Sequence, residues 1–144
     1  GANAYTSTTF VNKVTLTEGA SDVLSTGGVT VVGGTFTLNG NSDSVGAISL
    51  TAGIAASGAG TLTTTGTLTT VANANTTSLV TGTLAVPAAA TMSVADGLVE
   101  DDVVVSAVVT SASTSLAKRG TGLLVHAGSN TYTGSTLDTA GTIK

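Results

Sequence analysis

The chain's stock of residues able to do chemistry is small: one histidine, no cysteine, and eight carboxylates against four cationic side chains. His126 ends the apolar run Leu123-Leu124-Val125-His126. A metal ion needs companion ligands, and a nucleophilic triad needs a placed serine and acid. No Gly-x-Ser-x-Gly elbow or ligand spacing accompanies this histidine, so a wall-facing structural role is expected. The acidic cluster Glu100-Asp101-Asp102, with Asp96, offers hard oxygens of the kind Ca²⁺ takes. Its plainer role, the one expected here, is a solvated loop that blocks edge pairing ahead of the Val103 strand. Asn39-Gly40-Asn41-Ser42-Asp43 alternates oxygens like a calcium loop. It lacks glycine at the sixth position and has Leu50 where a bidentate glutamate belongs, so it reads as a polar turn. Lys118 and Arg119 are adjacent, so in a strand they point to opposite faces and make no patch. They are expected to act as gatekeepers flanking an apolar strand. The carboxylate-lined clefts of polysaccharide-cleaving β-helix enzymes have no counterpart. No catalytic, cofactor-binding or metal-binding residue is expected, and the chain is read as non-enzymatic.

Composition narrows the partners. The net charge is −4 and no basic stripe exists to neutralise phosphates, so nucleic acid is not an expected partner. The longest apolar stretch, Val103-Val104-Val105-Ser106-Ala107-Val108-Val109, is far shorter than a membrane-spanning helix requires. Gly1-Ala2-Asn3-Ala4-Tyr5 has neither a charged n-region nor an apolar h-region, so any secretion signal is expected to have been removed or to lie outside this sequence. The sparse charge, 8%, would suit disorder, but 41% apolar residues and a mean hydropathy of +0.45 argue for a packed core. Those residues are Val, Leu, Ile and Ala interleaved with 30 threonines, the mixture a half-buried pleated strand prefers. Without cysteine, stability must come from burial and backbone pairing. An acidic, Lys-poor, Cys-free, Thr/Gly/Ala/Ser-rich composition resembles that of bacterial surface proteins, so an extracellular or cell-surface location is expected.

The elements that must position these residues are nearly all strands and turns. Alternating apolar runs place strands over 10–16, 29–32, 35–38, 47–51, 60–64, 67–71, 78–86, 91–94, 102–110, 123–125 and 136–143. Several open with one phrase: Gly34-Thr35-Phe36-Thr37-Leu38, Gly46-Ala47-Ile48-Ser49-Leu50, Gly60-Thr61-Leu62-Thr63, Gly66-Thr67-Leu68-Thr69, Gly82-Thr83-Leu84-Ala85-Val86 and Gly141-Thr142-Ile143. Glycine supplies the corner, then Thr points outward and an apolar residue inward. The spacing of these phrases is irregular, so coils of unequal length are expected. The whole of residues 1–144 is read as one parallel β-solenoid domain, with a β-sandwich as the alternative. Small repetitive inward residues and the absence of Trp favour the solenoid. Val31, Leu38, Ile48, Leu50, Leu62, Leu68, Leu84 and Val105 are expected to line its interior. Pro87 marks an edge or corner, with a short helical turn as the alternative. The outward pairs Thr15/Thr17, Thr35/Thr37, Thr61/Thr63, Thr67/Thr69 and Thr131/Thr133 are like those of ice-binding solenoids. That use requires them in register on one face, which the irregular spacing argues against.

The segment Leu116-Ala117-Lys118-Arg119-Gly120-Thr121-Gly122-Leu123-Leu124, then Gly128-Ser129-Asn130-Thr131-Tyr132-Thr133-Gly134-Ser135-Thr136 and Ala140-Gly141-Thr142-Ile143, resembles the autotransporter-associated β-strand repeat. That family's pattern runs Lys-x-Gly-x-Gly-x-Leu, Gly-x-Asn-Thr-Tyr-Thr-Gly-x-Thr and Gly-Thr-Leu. The best match covers residues 116–143. The resemblance implies a right-handed parallel β-helix in a secreted or surface passenger protein, with adhesion or fibre formation as its work and no catalytic residues to carry over. Independently of the family, Asn130 can bond nearby backbone, and Tyr132 can cover a coil end or fill a corner.

A solenoid leaves unpaired N–H and C=O groups at its first and last coils, and neither end of this chain is expected to be capped. The expected function is therefore a structural filament or fibre subunit whose partner is another copy, stacked head-to-tail. Tyr5, Phe10, Val11, Tyr132, Thr142 and Ile143 are the expected assembly interface. The alternative is an adhesin module of a larger passenger, binding carbohydrate or a cell surface.

Overall fold

The computed structural model of the protein describes residues 3–71, 75–111 and 115–144. All regular structure in them is strand, wound into a parallel β-solenoid of about six turns. The first coil holds β1 (Thr9–Asn12) and β2 (Thr15–Thr17); the second holds β3 (Val29–Val32), β4 (Thr35–Thr37) and β5 (Asp43–Val45). The third and fourth pair β6 (Ile48–Thr51) with the long β7 (Ile54–Thr64), and β8 (Leu68–Thr70) with β9 (Ser78–Ala85). The fifth has β10 (Ala89–Val94), β11 (Val103–Val105) and β12 (Val108–Thr110), and the sixth β13 (Ser115–Arg119) and β14 (Leu123–His126). β15 (Thr136–Asp138) and β16 (Thr142–Ile143) begin a seventh layer.

Two walls result, β1-β3-β6-β8-β10-β13-β15 and β2-β4-β7-β9-β11-β14-β16. The far halves of β7 and β9 bend onto a shorter third side, where they pair with β5 and β12. Every pairing is parallel, which excludes the sandwich, since a sandwich is built from antiparallel strands.

Residues in one register column stack on each other up the rod. On the first wall Thr9, Val29, Ile48, Leu68, Met92, Lys118 and Asp138 form one inward column. Its members set coil lengths of 19 to 26 residues. All eight residues expected inside are buried. The interior is narrow: Phe36 is the one aromatic side chain fully enclosed among the described residues, and Val, Leu, Ile and Ala fill the rest.

The glycine phrases mark corners rather than coils. Gly34 and Gly141 precede strands of the second wall, Gly46 and Gly66 precede strands of the first, and Gly60 and Gly82 lie where the chain turns onto the third side. Two or three corners per coil therefore produce the irregular spacing.

Corners also divide three runs expected to be continuous. Residues 10–16, 102–110 and 136–143 each become two strands, and the first break is at Lys13, whose φ is +56°. Gly33 (+60°) and Ala52 (+51°) occupy the same corner in the next two coils. The left-handed conformation keeps the ladder running through the bend, with Lys13 N–H donating to Val32 O and Gly33 N–H to Thr51 O. Pro87 lies at a corner outside any strand, as expected.

Candidate assembly interface

The six expected interface residues fall into different environments. Phe10, 73% exposed, points outward from the first wall at its N-terminal rim. Val11, next to it, points inward and is only 1% exposed, packed in its own subunit's core. Its apolar surface is already used, so it cannot lend area to a contact with another copy. Tyr5 is exposed and its hydroxyl lies 2.7 Å from Thr9 Oγ1. Tyr132 is half-buried, stacked on His126 with ring centroids 6.0 Å apart, and its hydroxyl lies 2.7 Å from Thr136 Oγ1. Thr142 is exposed, and Ile143 packs half-buried against the core with its backbone in register with Leu124.

The interior turns polar towards this C-terminal end. Lys118 succeeds Met92 in the inward column, and its side chain is fully buried. It is therefore not the solvated gatekeeper expected from its charge, although Arg119 beside it does point outward and is exposed. The ammonium is satisfied by carbonyls, Nζ donating to Gly120 O at 2.7 Å and Ala140 O at 2.6 Å. Burial lowers its pKa, opposed by the attraction of Asp138 and Asp102. Asp138, next in the column, is exposed. His126 continues an inward column of the second wall above Val105. Burial lowers its pKa against an opposing hydrogen bond with Asn130. Asn130 serves the ladder directly: its Oδ1 accepts from Val109 N–H at 2.9 Å, and Thr131 N–H donates to Val109 O.

The remaining candidates resolve into structural work. Asp102 is buried: its carboxylate accepts from Gly97 N–H at 2.7 Å and Leu123 N–H at 2.8 Å, tying its loop to the next coil. Asn39 and Gly40 form a tight turn with φ of +53° and +86°, closed by Asn41 N–H to Leu38 O. Asp43 is also buried and accepts from Val23, Leu24 and Ser44 N–H. Its neighbour Glu18, which no motif in the sequence singles out, is buried at 4% exposure with neither carboxyl oxygen hydrogen-bonded. Burial first, then Asp43 and Asp22, raise its pKa to about 7. Once protonated, Glu18 can donate to Asp43.

The Thr-x-Thr pairs are spread over the surface. Thr15/Thr17 and Thr35/Thr37 stack on the second wall, Thr61/Thr63 are on the third side, Thr67/Thr69 are at the first wall, and Thr131/Thr133 lie outside any strand. They form no single flat array.

A shallow groove of about 540 Å³ beside β2 and β4 is lined by Lys13, Thr15, Thr35, Ile54, Thr77 and Leu79 among others, and none of its lining residues is aromatic.

The fold defines a parallel β-solenoid. Compared with known proteins, the chain matches no family model, no curated protein and no solved structure.

Proposed function

We propose that the chain is a non-enzymatic structural subunit of an extracellular or cell-surface fibre, assembled by head-to-tail stacking of copies through the strand edges at the two ends of the solenoid. The observation that supports this reading is the parallel ladder itself, since all regular structure in the described residues is one stack of layers that a further strand can extend. β15 and β16 each have one ladder neighbour in the described structure, and most of their residues are exposed. In a ladder, successive N–H groups of a strand point to opposite sides. Thr139 and Lys144 N–H already bond Lys118 O and Leu124 O, so Asp138 and Ile143 N–H point towards the open edge. Such an edge is a template for a further strand. A contact between the two different ends of a rod is heterologous and propagates instead of closing.

The surface location rests on composition and on the resemblance of residues 116–143. An adhesin module within a larger passenger is the second reading, supported by the way that segment forms ordinary coils of the rod. The shallow groove gives it less support, because it offers no aromatic ring for a sugar to stack on.

Ile143→Pro tests the proposal. It removes an N–H that the ladder's alternation points away from β14, so circular dichroism should be unchanged while filaments seen by electron microscopy are lost. Discrete rods from the unmodified protein, or filaments of unchanged length from Ile143→Pro, would overturn it.

A further inference from the structure

The loop 18–25 closes the first coil on the side where later coils carry β5 and the bent far halves of β7 and β9. No strand forms in it, so single contacts hold it to the next coil instead of a ladder. Val23 and Leu24 N–H donate to Asp43 Oδ2 at 2.9 and 2.8 Å, Asp22 N–H to Ser42 O at 3.1 Å, and Ser42 N–H to Ser21 Oγ at 3.0 Å. Asp22 makes its bond from a left-handed conformation, with φ of +54°, and residues 19–22 are exposed.

Two buried carboxyls face each other behind this loop, Asp43 at 5% exposure and Glu18 at 4%. Their hydrogen-bond partners differ. Val23, Leu24 and Ser44 N–H all converge on Asp43, an arrangement that fits a carboxylate. Neither oxygen of Glu18 has a donor. A carboxylate buried without donors is costly, whereas a carboxylic acid in the same place becomes a donor itself. Asp43 Oδ1 accepts only from Ser44 N–H and has a lone pair left to receive that donor. One proton on Glu18 therefore satisfies both groups. The charges acting on Glu18 are those of Asp43 and Asp22, both negative, and the one ion pair among the described residues, Lys144 with Asp101, involves none of the three.

We propose that Glu18 and Asp43 form a protonation latch: the proton between them holds the loop 18–25 on the second coil, and its loss releases the loop and uncovers β5. Once Glu18 ionises, two carboxylates face each other in the interior with no cation between them, and hydration of either relieves the repulsion. Glu18 begins the loop, so its exit to water carries the loop with it, and no ladder has to break. β7 is the one ladder neighbour of β5 in the described structure, so the other edge of β5 is covered by the loop alone. Burial first, then Asp43 and Asp22, raise the Glu18 pKa to about 7, so the latch is closed at pH 6 and weakens as pH rises through 7.

Hydrogen exchange read by mass spectrometry tests this on the unmodified chain. After correction for the intrinsic rise of exchange with pH, the opening constant of the amides in 19–25 should increase about tenfold between pH 6 and pH 8, the factor given by a Glu18 pKa of about 7 closed and an ordinary 4.5 open. Those amides should exchange faster than the amides of β9 and β10 at both pH values. Glu18→Gln, which has the same shape and carries a permanent donor, should give one corrected rate at both. A corrected rate in the unmodified chain that does not change with pH would overturn the latch. So would amides of 19–25 that exchange no faster than those of β9 and β10, since the opening would then be unfolding of the whole chain. A pH dependence that persists in Glu18→Gln would overturn it as well, by assigning the titration to another group. The first two outcomes are read without any substitution, so the test holds whether or not Glu18→Gln folds.

Discussion

Glu18 shows how one carboxyl can make the stability of this fold depend on pH. Its folded pKa of about 7 lies above the ordinary glutamate value of about 4.5, so the folded state holds a proton that the unfolded chain releases between those values. The stabilisation is fully present below about pH 4.5 and is lost as pH rises through 7, amounting to at most about 3 kcal/mol. His126 acts in the opposite sense, because burial lowers its pKa and favours the neutral ring. The useful quantity is therefore the difference between the protein and Glu18→Gln. Glu18→Gln should be the more stable of the two in urea at pH 8, and the gap should narrow or reverse at pH 5; a gap independent of pH would refute the assignment. Sequence could not reveal this residue, because Glu18 follows β2 in a stretch without strand alternation, and its enclosure depends on Asp43, one coil away. Lys118 was legible in principle. It alternates with Leu116, so once Leu116 is placed inside, Lys118 must follow, and only its charge argued otherwise.

At the scale of the strand, stability is a question of which face a residue occupies. Leu68 lies in the inward column between Ile48 and Met92 and is buried, whereas Thr67 precedes the strand and is half-buried. Leu68→Ala should cost about 2 to 5 kcal/mol, and Thr67→Ala no more than about 0.5 kcal/mol. Chemical denaturation of both variants decides the matter, since similar small losses would contradict the inside/outside assignment. The alternation of apolar residues with threonine made most strands and all eight interior positions readable. The corners were harder to read. Lys13 and Ala52 take left-handed backbone conformations that their side chains do not favour, and only the stacked corner at Gly33 has the residue type that signals such a bend. β5 and β13 were missed as strands; β5 is a three-residue element made by pairing with the bent far half of β7, a long-range contact with little local signature.

For the whole molecule, the coil length could not be read from sequence because the repeated glycine phrase punctuates corners on all three sides. Parallel stacking could be read, since small inward residues suit a narrow interior lined by ladders. Low charge density also favours a rod that can add to itself: at −4 over 144 residues, copies repel weakly. Helical reconstruction of filaments by cryo-electron microscopy measures the layer spacing and its continuity directly. The stacking account predicts one continuous parallel ladder with about 4.8 Å between layers, unbroken from one copy to the next. Filaments in which rods lie side by side, or in which the ladder is interrupted at every junction, would contradict it.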